Sequence, residues 1–318
     1  MADNIMKDRL LYFVDKFKSA IGLIILVIVL SFLSDYFFTV NNLLNIIRQV
    51  SIIAIMAFGM TFVILTGGID LSVGSLLAVS AAVTAGLIIN VGIFYLLVIP
   101  IGMLIGILLG GFSGLMVAKA KMPAFIVTLG MMTIARGLTL IYTDGRPISG
   151  FNEDFRFIGA GHIGGIPVPV IIMLIILFIC YITLKKTPYG RYVYAIGGNE
   201  EAAKLSGINV DRIKMSVYAL SGLLSAISGI ILASRLNSAQ PTAGSGYELD
   251  AIATVVLGGT SLSGGQGGVI GTIIGALIIG VLNNGLNLLN VSSFYQQVAK
   301  GAVILIAVYI DRRSKAVE

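Results

Sequence analysis

The sequence predicts an all-α polytopic membrane protein with about ten transmembrane helices, one of them short or broken. Hydrophobic residues make up 57% of the 318 positions and charged residues only 11%, whereas an ordinary soluble domain has about 25% charged residues. The apolar residues fall in runs close to the ~20 residues that a membrane helix needs. The 39 glycines agree with this fold class, because small residues let membrane helices approach closely.

The basic residues indicate how the chain is oriented. Fifteen of the 21 lysines and arginines lie in four short segments that flank apolar runs, namely 1–18, 119–122, 185–214 and 311–318. An excess of lysine and arginine marks cytoplasmic loops, so we expect these segments and both termini to be cytoplasmic. The net charge of +6 then reports membrane topology and not an affinity for nucleic acid.

Taken in order, the apolar runs place seven spans before residue 236. They cover roughly residues 19–38, 43–65, 72–89, 94–118, 123–142, 168–184 and 213–235, each near the required length. Between them we expect an extracytoplasmic loop at 143–166 and a cytoplasmic loop at 185–212. A short broken helix at 251–257 and spans at 271–289 and 295–310 then return the chain to the cytoplasm. One transmembrane domain thus covers residues 1–318.

Two of the predicted helix breaks have similar sequences. Residues 63–74 and 255–264 each contain an apolar run, a glycine pair, a Leu-Ser and a further glycine. Glycine-interrupted helices in corresponding positions of two halves indicate a transport pathway. The predicted topology gives both segments the same orientation, unlike an inverted repeat, and the similarity is short. A repeat and a chance convergence on a glycine-rich break therefore both remain open.

No catalytic constellation is present in the sequence. It has no Gly-x-x-x-x-Gly-Lys-Ser/Thr phosphate loop, no His-Glu-x-x-His and no Gly-x-Ser-x-Gly, which are the motifs of nucleotide, zinc and serine-hydrolase sites. The single cysteine, Cys180, and the single histidine, His162, cannot build a metal site. We therefore expect this chain to hold no cofactor or metal and to catalyse no reaction itself.

The cytoplasmic loop contains one short helix with clear limits. Asn199 is a good N-cap, Glu200 and Glu201 in the first turn suit the positive end of the helix dipole, and Gly207 is a natural stop. We expect a small apolar face, made of Ala202, Leu205 and Ile208. A helix this short is not stable alone in water, so it needs a surface to pack on.

This helix and several other segments resemble a known transporter family. Glu201-Ala202-Ala203 followed by Gly207 resembles the Glu-Ala-Ala…Gly loop with which permeases of ABC importers dock on their ATPase subunit. Further segments are similar to the ribose/xylose/galactose permease family, and the resemblance extends over nearly the whole chain. These segments are 66–75 (TGGIDLSVGS), 197–200 with 205–209, 238–244 (SAQPTAG), 255–262 (VVLGGTSL) and 282–287 (LNNGLN).

The resemblance implies the permease subunit of an ATP-driven importer of ribose or a closely related monosaccharide, in the bacterial cytoplasmic (inner) membrane. It further implies a cobalamin-importer-like (type II) fold and a homodimer. An ABC ATPase would bind the ATP and Mg²⁺, and an extracytoplasmic binding protein would deliver the sugar. The residues that the resemblance assigns to ATPase coupling are Asn199, Glu200, Glu201, Ala202, Ala203, Leu205 and Gly207.

Asp70 is an acidic residue at the first glycine break. An intramembrane carboxylate is a candidate for a functional role such as gating. Its position also suits a cap that accepts hydrogen bonds from the backbone N–H groups near Ser72 and Val73. We expect Asp70 mainly to cap and fix the break, with gating as the alternative.

Asn283, Asn287 and Asn290 recur at i, i+4 and i+7 on one side of an otherwise apolar helix. Amides in a membrane must find hydrogen-bond partners, and polar links between helices are common. We expect helix packing to be their main role and keep Asn283 and Asn287 as candidates for the translocation path. Such a path would offer weak contacts, because a deep well traps the substrate, and specificity would then rest mainly with the binding protein.

Several basic side chains fall outside the cytoplasmic segments. Lys300 lies in a predicted span and is expected to snorkel, whereas Arg136 is expected to pair with a carboxylate such as Asp144 or with helix-end carbonyls. Three arginines are predicted on the extracytoplasmic side, and these are Arg48, Arg146 and Arg156. They are either solvated loop charges or pair with acidic residues of the binding protein, setting its docking register.

Two other function classes fit fewer of these features. A secondary transporter with Asp70 as proton relay fits the broken helices, but intramembrane carboxylates are scarce and the cytoplasmic helix resembles a docking element. An intramembrane enzyme lacks a nucleophile–base pair or a set of metal ligands. ATP dependence separates the importer from the secondary transporter, and turnover of a substrate without transport would identify an enzyme.

Overall fold

The computed structural model describes residues 19–302 and residue 305, and most of this part is helical. The final helix, α13, begins at residue 293 and is described to residue 302. The helices before it are α1 (Ser19–Leu33), α2 (Val40–Leu65), α3 (Val73–Ile89), α4 (Tyr95–Ala118), α5 (Ala124–Thr143), α6 (Glu153–Ala160), α7 (Val168–Lys186), α8 (Pro188–Gly198), α9 (Glu200–Leu205), α10 (Val210–Leu236), α11 (Tyr247–Leu257) and α12 (Val269–Leu288).

Short strands pair in the connections between helices. β1 (Ile148–Ser149) pairs antiparallel with β4 (Ser238–Ala239), with Ile148 opposite Ala239. β2 (His162–Ile163) pairs antiparallel with β3 (Ile166–Pro167). The first pair ties the segment after α5 to the segment after α10.

Helices α2 and α10 form the centre of the bundle. Every residue of α2 from Val50 to Leu65 is buried, and α10 packs against α4, α2 and α3. The α4–α10 contact is close because Gly106 and Gly110 lie against Gly222 and the carbonyl of Tyr218. A Cβ at Gly106 would clash with the Gly222 carbonyl, so the two helices can approach this closely only with glycine at this position. Small residues commonly occupy such close contacts between membrane helices.

The outer helices are apolar and largely exposed. Among the 18 most apolar consecutive residues of each helix, 28% are buried in α4 and in α5 and 33% in α7, whereas 83% are buried in α2. Their exposed side chains include Leu97, Ile134 and Phe178. Apolar side chains facing outwards around a buried centre are what a bilayer requires, so the chain is an integral membrane protein.

The predicted spans are found where helices were expected. In the described part, six helices are long and apolar enough to cross a membrane, namely α2, α4, α5, α7, α10 and α12. α1 and α3 are apolar but shorter, and α11 has 11 residues, in agreement with the short helix predicted at 251–257. The predicted cytoplasmic segments 1–18 and 311–318 lie outside the described residues, as does most of 303–310. The number of ten spans therefore stays a prediction.

The predicted limits lie within a few residues of the observed ones, and the largest difference is at the end of α1. α1 ends at Leu33 and not near residue 38, because residues 34–37 form a turn before Thr39 caps α2. Pro123 is the residue before α5 and not part of its first turn.

The two long predicted loops contain helices. Loop 143–166 contains α6, and loop 185–212 contains α8 as well as the predicted α9. α8 begins where the Thr187 hydroxyl accepts a hydrogen bond from Gly190 N and Pro188 occupies the first turn. A threonine cap followed by proline is a helix-start signal that could have been found in the sequence.

Basic side chains gather at one end of the bundle, which we call the basic end. It contains the α4–α5 connection, the end of α7, α8, α9 and the start of α10. Lys121 Nζ lies 2.8 Å from Asp211 Oδ1, and Lys214 Nζ lies 2.5 Å from Glu200 Oε2. The predicted cytoplasmic segments 119–122 and 185–212 therefore lie on one side, and α6 with the strand pairs lies at the other, which we call the opposite end.

Candidate functional site

The predicted coupling residues lie on a short helix at the basic end. Asn199 Oδ1 accepts a hydrogen bond from Ala202 N at 2.9 Å, which makes Asn199 the N-cap of α9. Glu200 and Glu201 occupy the first turn, and Gly207 adopts a left-handed conformation, φ 84°, just after the helix end. The structure confirms the predicted limits of this helix.

The packed face of α9 differs from the predicted one. Ala203 is buried and packs with Ile196 of α8, whereas Ala202 is exposed and the Leu205 residue is 86% exposed. α9 lies between α8 and α10, and the side turned towards them is that of Ala203, with Ile208 half-buried against the same cluster. Leu205 is thus a large apolar side chain with no covering surface among the described residues.

The backbone of α8 meets both glycine breaks at one point, the glycine junction of Gly67, Gly197, Gly264 and Gly265. Gly265 N donates a hydrogen bond to Leu65 O at 3.0 Å. A Cβ at Gly197 would clash with the Leu65 carbonyl, and a Cβ at Gly264 would lie 2.9 Å from Gly67 N. Three backbone segments therefore touch where only glycine fits.

Tyr194 holds the second break to α8 by a hydrogen bond. Its hydroxyl donates to Gly267 O at 2.8 Å. Burial raises the pKa of the Tyr194 phenol, because the charged phenolate is disfavoured away from water. The phenol therefore stays protonated near neutral pH and continues to donate.

The two breaks with similar sequences share a local geometry. Gly67 and Gly259 are the left-handed residues, with φ of 76° and 84°. In each break the N–H of this glycine donates to the carbonyl three residues back, and the next N–H donates to the carbonyl five residues before it. This is the glycine ending that helices often adopt. The shared sequence encodes the same helix end, which leaves the choice between a repeat and convergence open.

Asp70 is fully buried at the first break. Its Oδ1 accepts hydrogen bonds from Ser72 N at 3.0 Å and from the Ser72 hydroxyl at 2.6 Å. Its Oδ2 accepts from the hydroxyl of Ser221, on α10, at 2.8 Å. These bonds agree with the expected capping role, with Ser72 and not Val73 as the backbone donor. They also fasten the break to α10, and gating stays a prediction.

Asn283 and Asn287 line a cavity of about 200 Å³ near the opposite end, here called the amide cavity. Its other polar lining residues are Gln49, Arg235, Asp250, Gln296 and Lys300. Lys300 Nζ lies 2.8 Å from Asp250 Oδ2, and Gln296 Nε2 donates to Asn287 Oδ1 at 2.8 Å. Asn283 Oδ1 is buried and has no hydrogen-bond partner among the described residues.

Two expectations for this region were wrong. Lys300 does not snorkel but pairs with Asp250, because a buried carboxylate without a counter-charge is costly. Asn290 lies beyond the end of α12 with φ 54°, so the polar stripe ends one turn earlier. The expected packing role is found for Asn287, whose Oδ1 accepts from Gln296 of α13. A second amide link, which the stripe did not predict, comes from Asn284, which makes two side-chain hydrogen bonds with Asn42 of α2 at 2.7 and 3.0 Å.

Sequence reasoning missed Asp250, Gln49 and Arg235 as members of the cavity. Asp250 had a usable signal, since a carboxylate beside the predicted short helix 251–257 is an intramembrane acid. Gln49 lies within α2 and Arg235 lies near the end of α10, and neither had a signal beyond its polarity.

Arg136 of α5 supports an irregular segment that precedes α11. Its Nη1 donates to Pro241 O at 2.6 Å and to Ala243 O at 2.9 Å. The partners are carbonyls of this segment and neither the expected helix-end carbonyls nor Asp144, which is the left-handed residue that ends α5. Non-helical backbone at membrane depth needs such partners.

Beside Arg136 an open groove runs along α5, here called the arginine groove. It is lined by Ser75, Thr133, Arg136, Ser245 and Glu248. The first turn of α11 separates the groove from the amide cavity, because Glu248 lines the groove whereas Tyr247 and Asp250 line the cavity.

The three arginines predicted for docking lie at the opposite end. Arg146 and Arg156 are exposed, and Arg156 is on α6. Arg48 is half-buried, and its Nη2 donates to His162 Nε2 at 2.7 Å. One donor of Arg48 is therefore already bonded within the chain, to the histidine that the sequence left without a metal-binding role.

The chain is similar to known transport proteins along almost its whole length. Residues 42–308 match a family model described as branched-chain amino acid transport system / permease component. The ribose import permease protein of Haemophilus influenzae is 59% identical over 299 residues, which cover 92% of each chain. The ribose import permease protein of Bacillus subtilis is 59% identical over 298 residues, covering 93% of this chain and 92% of that protein. The D-allose transport system permease protein of Escherichia coli is 41% identical, covering 94% and 92%. No solved structure matches the chain.

We expect Asp70→Asn to keep the stability of the fold and Asp70→Leu to lose much of it. The asparagine oxygen still accepts from Ser72, and its NH₂ group can donate to the Ser221 hydroxyl. Leucine leaves these groups without a partner at a cost of about 1–3 kcal/mol for each unsatisfied buried group. Thermal unfolding in detergent should give a melting temperature lower by about 5 °C or more for Asp70→Leu, with exposed Asp35→Leu as control. If Asp70→Asn unfolds as early as Asp70→Leu, the charge itself is required and capping alone is the wrong explanation.

Proposed function

The chain belongs to the family of branched-chain amino acid transport system permease components, and we propose that it is the permease subunit of an ATP-driven importer of ribose. The observation that carries this is its 59% identity to two ribose import permeases over more than nine-tenths of each chain. The family description names amino acids, but the relatives of high identity are named for monosaccharides. The work of this chain is then to pass a sugar across the membrane.

The complete importer would contain three further parts. These are a second copy of this chain, an ABC ATPase that binds ATP and Mg²⁺, and an extracytoplasmic sugar-binding protein. In the bacterial inner membrane the basic end would face the cytoplasm, as the positive-inside rule requires. Ten spans, a cobalamin-importer-like (type II) fold and cytoplasmic termini complete the proposal.

Helix α9 would be the element that docks on the ATPase. Its Ala203 side is used for packing within the chain, which leaves Glu201, Ala202 and the 86% exposed Leu205 facing outwards. A water-exposed leucine on a short, well-capped helix suits a groove on a partner. The glycine junction would then transmit the movement, because α8 touches the ends of α2 and α11–α12 directly.

The arginine groove supports a homodimer. Arg136 and Glu248 are half-buried on a surface where neighbouring α5 side chains are apolar and exposed. Charged side chains facing hydrocarbon are costly, so water or protein must cover them. An added Cβ at Gly130 or Gly137 of α5 would meet no neighbouring atom of this chain, which leaves room for a second copy to approach.

The translocation path would use the polar groups that the fold places inside the bundle. Asn283 and Asn287 would offer hydrogen bonds to the sugar in the amide cavity, and Asp70 would hold the first break while the helices move. All three hydrogen bonds of Asp70 go to Ser72 and Ser221, which supports a positioning role better than a proton relay.

We expect Leu205→Asp to weaken binding of the ATPase at least tenfold while leaving the fold intact. The side chain is exposed, so the change removes a large apolar contact and adds a charge in the interface without disturbing packing in this chain. Binding of the purified ATPase to the permease in nanodiscs measures the effect. Phe157→Asp, at an exposed position of α6 at the opposite end, is the matched control. Equal ATPase binding by Leu205→Asp and the wild type would show that α9 is not the docking helix.

We expect Arg146→Glu combined with Arg156→Glu to slow docking of the sugar-loaded binding protein by about tenfold at low salt. Both side chains are exposed at the opposite end, where they would steer an acidic partner surface. The difference should shrink near 1 M salt, where the Debye length is about 3 Å. Arg191→Glu, exposed at the basic end, is the control. The association rates are measured with nanodiscs immobilised on a surface. If the two arginines are solvated loop charges without a docking role, the double variant and the wild type will associate at the same rate.

The proposed function is tested by ribose uptake into proteoliposomes that contain this chain, its ATPase and its binding protein. Uptake should require ATP on the ATPase side and binding protein on the other, and it should stop when either is omitted. Uptake by this chain alone, driven by a proton gradient, would overturn the importer and identify a secondary transporter.

A further inference from the structure

We propose that the amide cavity is a binding site for one neutral monosaccharide, occupied after the sugar leaves the binding protein. The inference rests on the proposed import of ribose. It goes beyond it because the permease itself then holds a saturable sugar site and takes part in selecting the substrate, rather than offering weak contacts alone.

The lining of the cavity has the chemistry that sugar hydroxyls need. Each hydroxyl donates one hydrogen bond and accepts others, and carboxamides can do both. Gln49, Asn283, Asn287 and Gln296 bring four carboxamides from α2, α12 and α13 to one cavity. Tyr247, Ile52 and Ile53 supply apolar surface, as ligand pockets with few convergent polar groups usually do.

One polar atom of the cavity lacks a partner. Asn283 Oδ1 is buried with no hydrogen-bond donor among the described residues, although buried polar atoms are nearly always paired. The adjacent Asn284, on the same helix, is fully engaged with Asn42. The free acceptor thus belongs to a residue that lines the cavity, and a ligand hydroxyl that reaches Asn283 Oδ1 would complete its hydrogen bonding.

The ion pair of the cavity suits a neutral ligand. The Lys300 ammonium is held 2.8 Å from Asp250 Oδ2, so these two charges offset each other locally. Arg235 lines the same cavity and forms no ion pair among the described residues, so an anionic sugar is the alternative that ribose 5-phosphate tests. An anionic sugar would have to compete with Asp250 for Lys300, whereas a hydroxyl can add hydrogen bonds to the ion pair without breaking it.

The position of the cavity suits a site that receives sugar. It opens near the opposite end, where Gln49 follows Arg48, one of the residues predicted to contact the binding protein. α12, which carries both cavity asparagines, begins beside the glycine junction. The same helix thus links the sugar site to the segment that would dock on the ATPase.

Protection from cysteine labelling tests the site directly. The native Cys180 is buried, so the experiment places Asn287→Cys in a Cys180→Ala background and measures its reaction with a methanethiosulfonate reagent in nanodiscs. D-ribose should slow the reaction in proportion to 1 + [ribose]/Kd, reaching about tenfold when ribose is near nine times Kd. Asn41→Cys, exposed on α2 and outside the cavity, is the matched control and should react at the same rate with and without ribose.

The role of Asn283 is tested in the same background. Asn283→Leu should raise the half-protecting ribose concentration about tenfold, since one hydrogen bond is lost, whereas Asn283→Asp keeps an acceptor and should lose less. Should Asn283→Leu fail to fold, the Asn287→Cys protection still decides. Any one of three results would overturn the proposal. These are that ribose gives no saturable protection, that it protects Asn41→Cys equally, or that ribose 5-phosphate protects where ribose does not. If the wild type takes up ribose with ATP but ribose gives no protection, the proposed sugar site is wrong and the importer function stands. If there is neither uptake nor protection, the proposed function is wrong as well.

Discussion

Direct backbone contact at the glycine junction constrains the arrangement of the basic end. Gly197 lies against the Leu65 carbonyl, and that carbonyl accepts the hydrogen bond of Gly265. No side chain lies between these segments to absorb a displacement. Close-packed interiors transmit strain because they have few voids, and here even a methyl group would separate the chains. A movement of α8 must therefore move the end of α2 and the start of α12 with it, which makes the junction the mechanical centre of the proposed coupling.

The second constraint is that charged groups within the bundle need partners. Asp70 is surrounded by donors from Ser72 and Ser221, Asp250 is paired with Lys300, and Arg136 donates to two carbonyls. Each case follows from the cost of placing an unpaired charge away from water. Each charged group also stabilises a place where a helix is interrupted, since Asp70 lies between α2 and α3 and Arg136 and Asp250 flank the start of α11. Among the described residues that line the amide cavity, Asn283 carries the buried side-chain atom without a partner, and for that reason it supports a ligand there.

The sequence predicted what depends on length, charge and local hydrogen bonds. Span positions follow from apolar runs, and the capping by Asn199 and Asp70 joins groups within three residues of each other. The packed face of α9 could not be predicted, because its six residues are too few for periodicity to select Ala203 over Leu205. Nor could the pairing of Asn42 with Asn284, which joins residues 242 positions apart. The meeting of both glycine breaks on α8 likewise depends on packing that no local pattern encodes.

The proposed sugar site in the amide cavity and the proposed ATPase docking site at α9 lie at different ends of the bundle. Two continuous helices, α2 and α12, join the cavity to the glycine junction beside α9. α2 runs from Gln49 in the amide cavity to Leu65 at the glycine junction, and α12 runs from Val269 beside the junction to Asn283 in the cavity. At 1.5 Å per residue these stretches span about 24 and 21 Å. A helix that is held at the junction and tilts there displaces its far end the most, so a small movement of α8 changes the separation of Gln49 and Asn283. Sugar affinity in the cavity would then depend on the state of the ATPase through two rigid helices, without a separate chain of contacts between the sites.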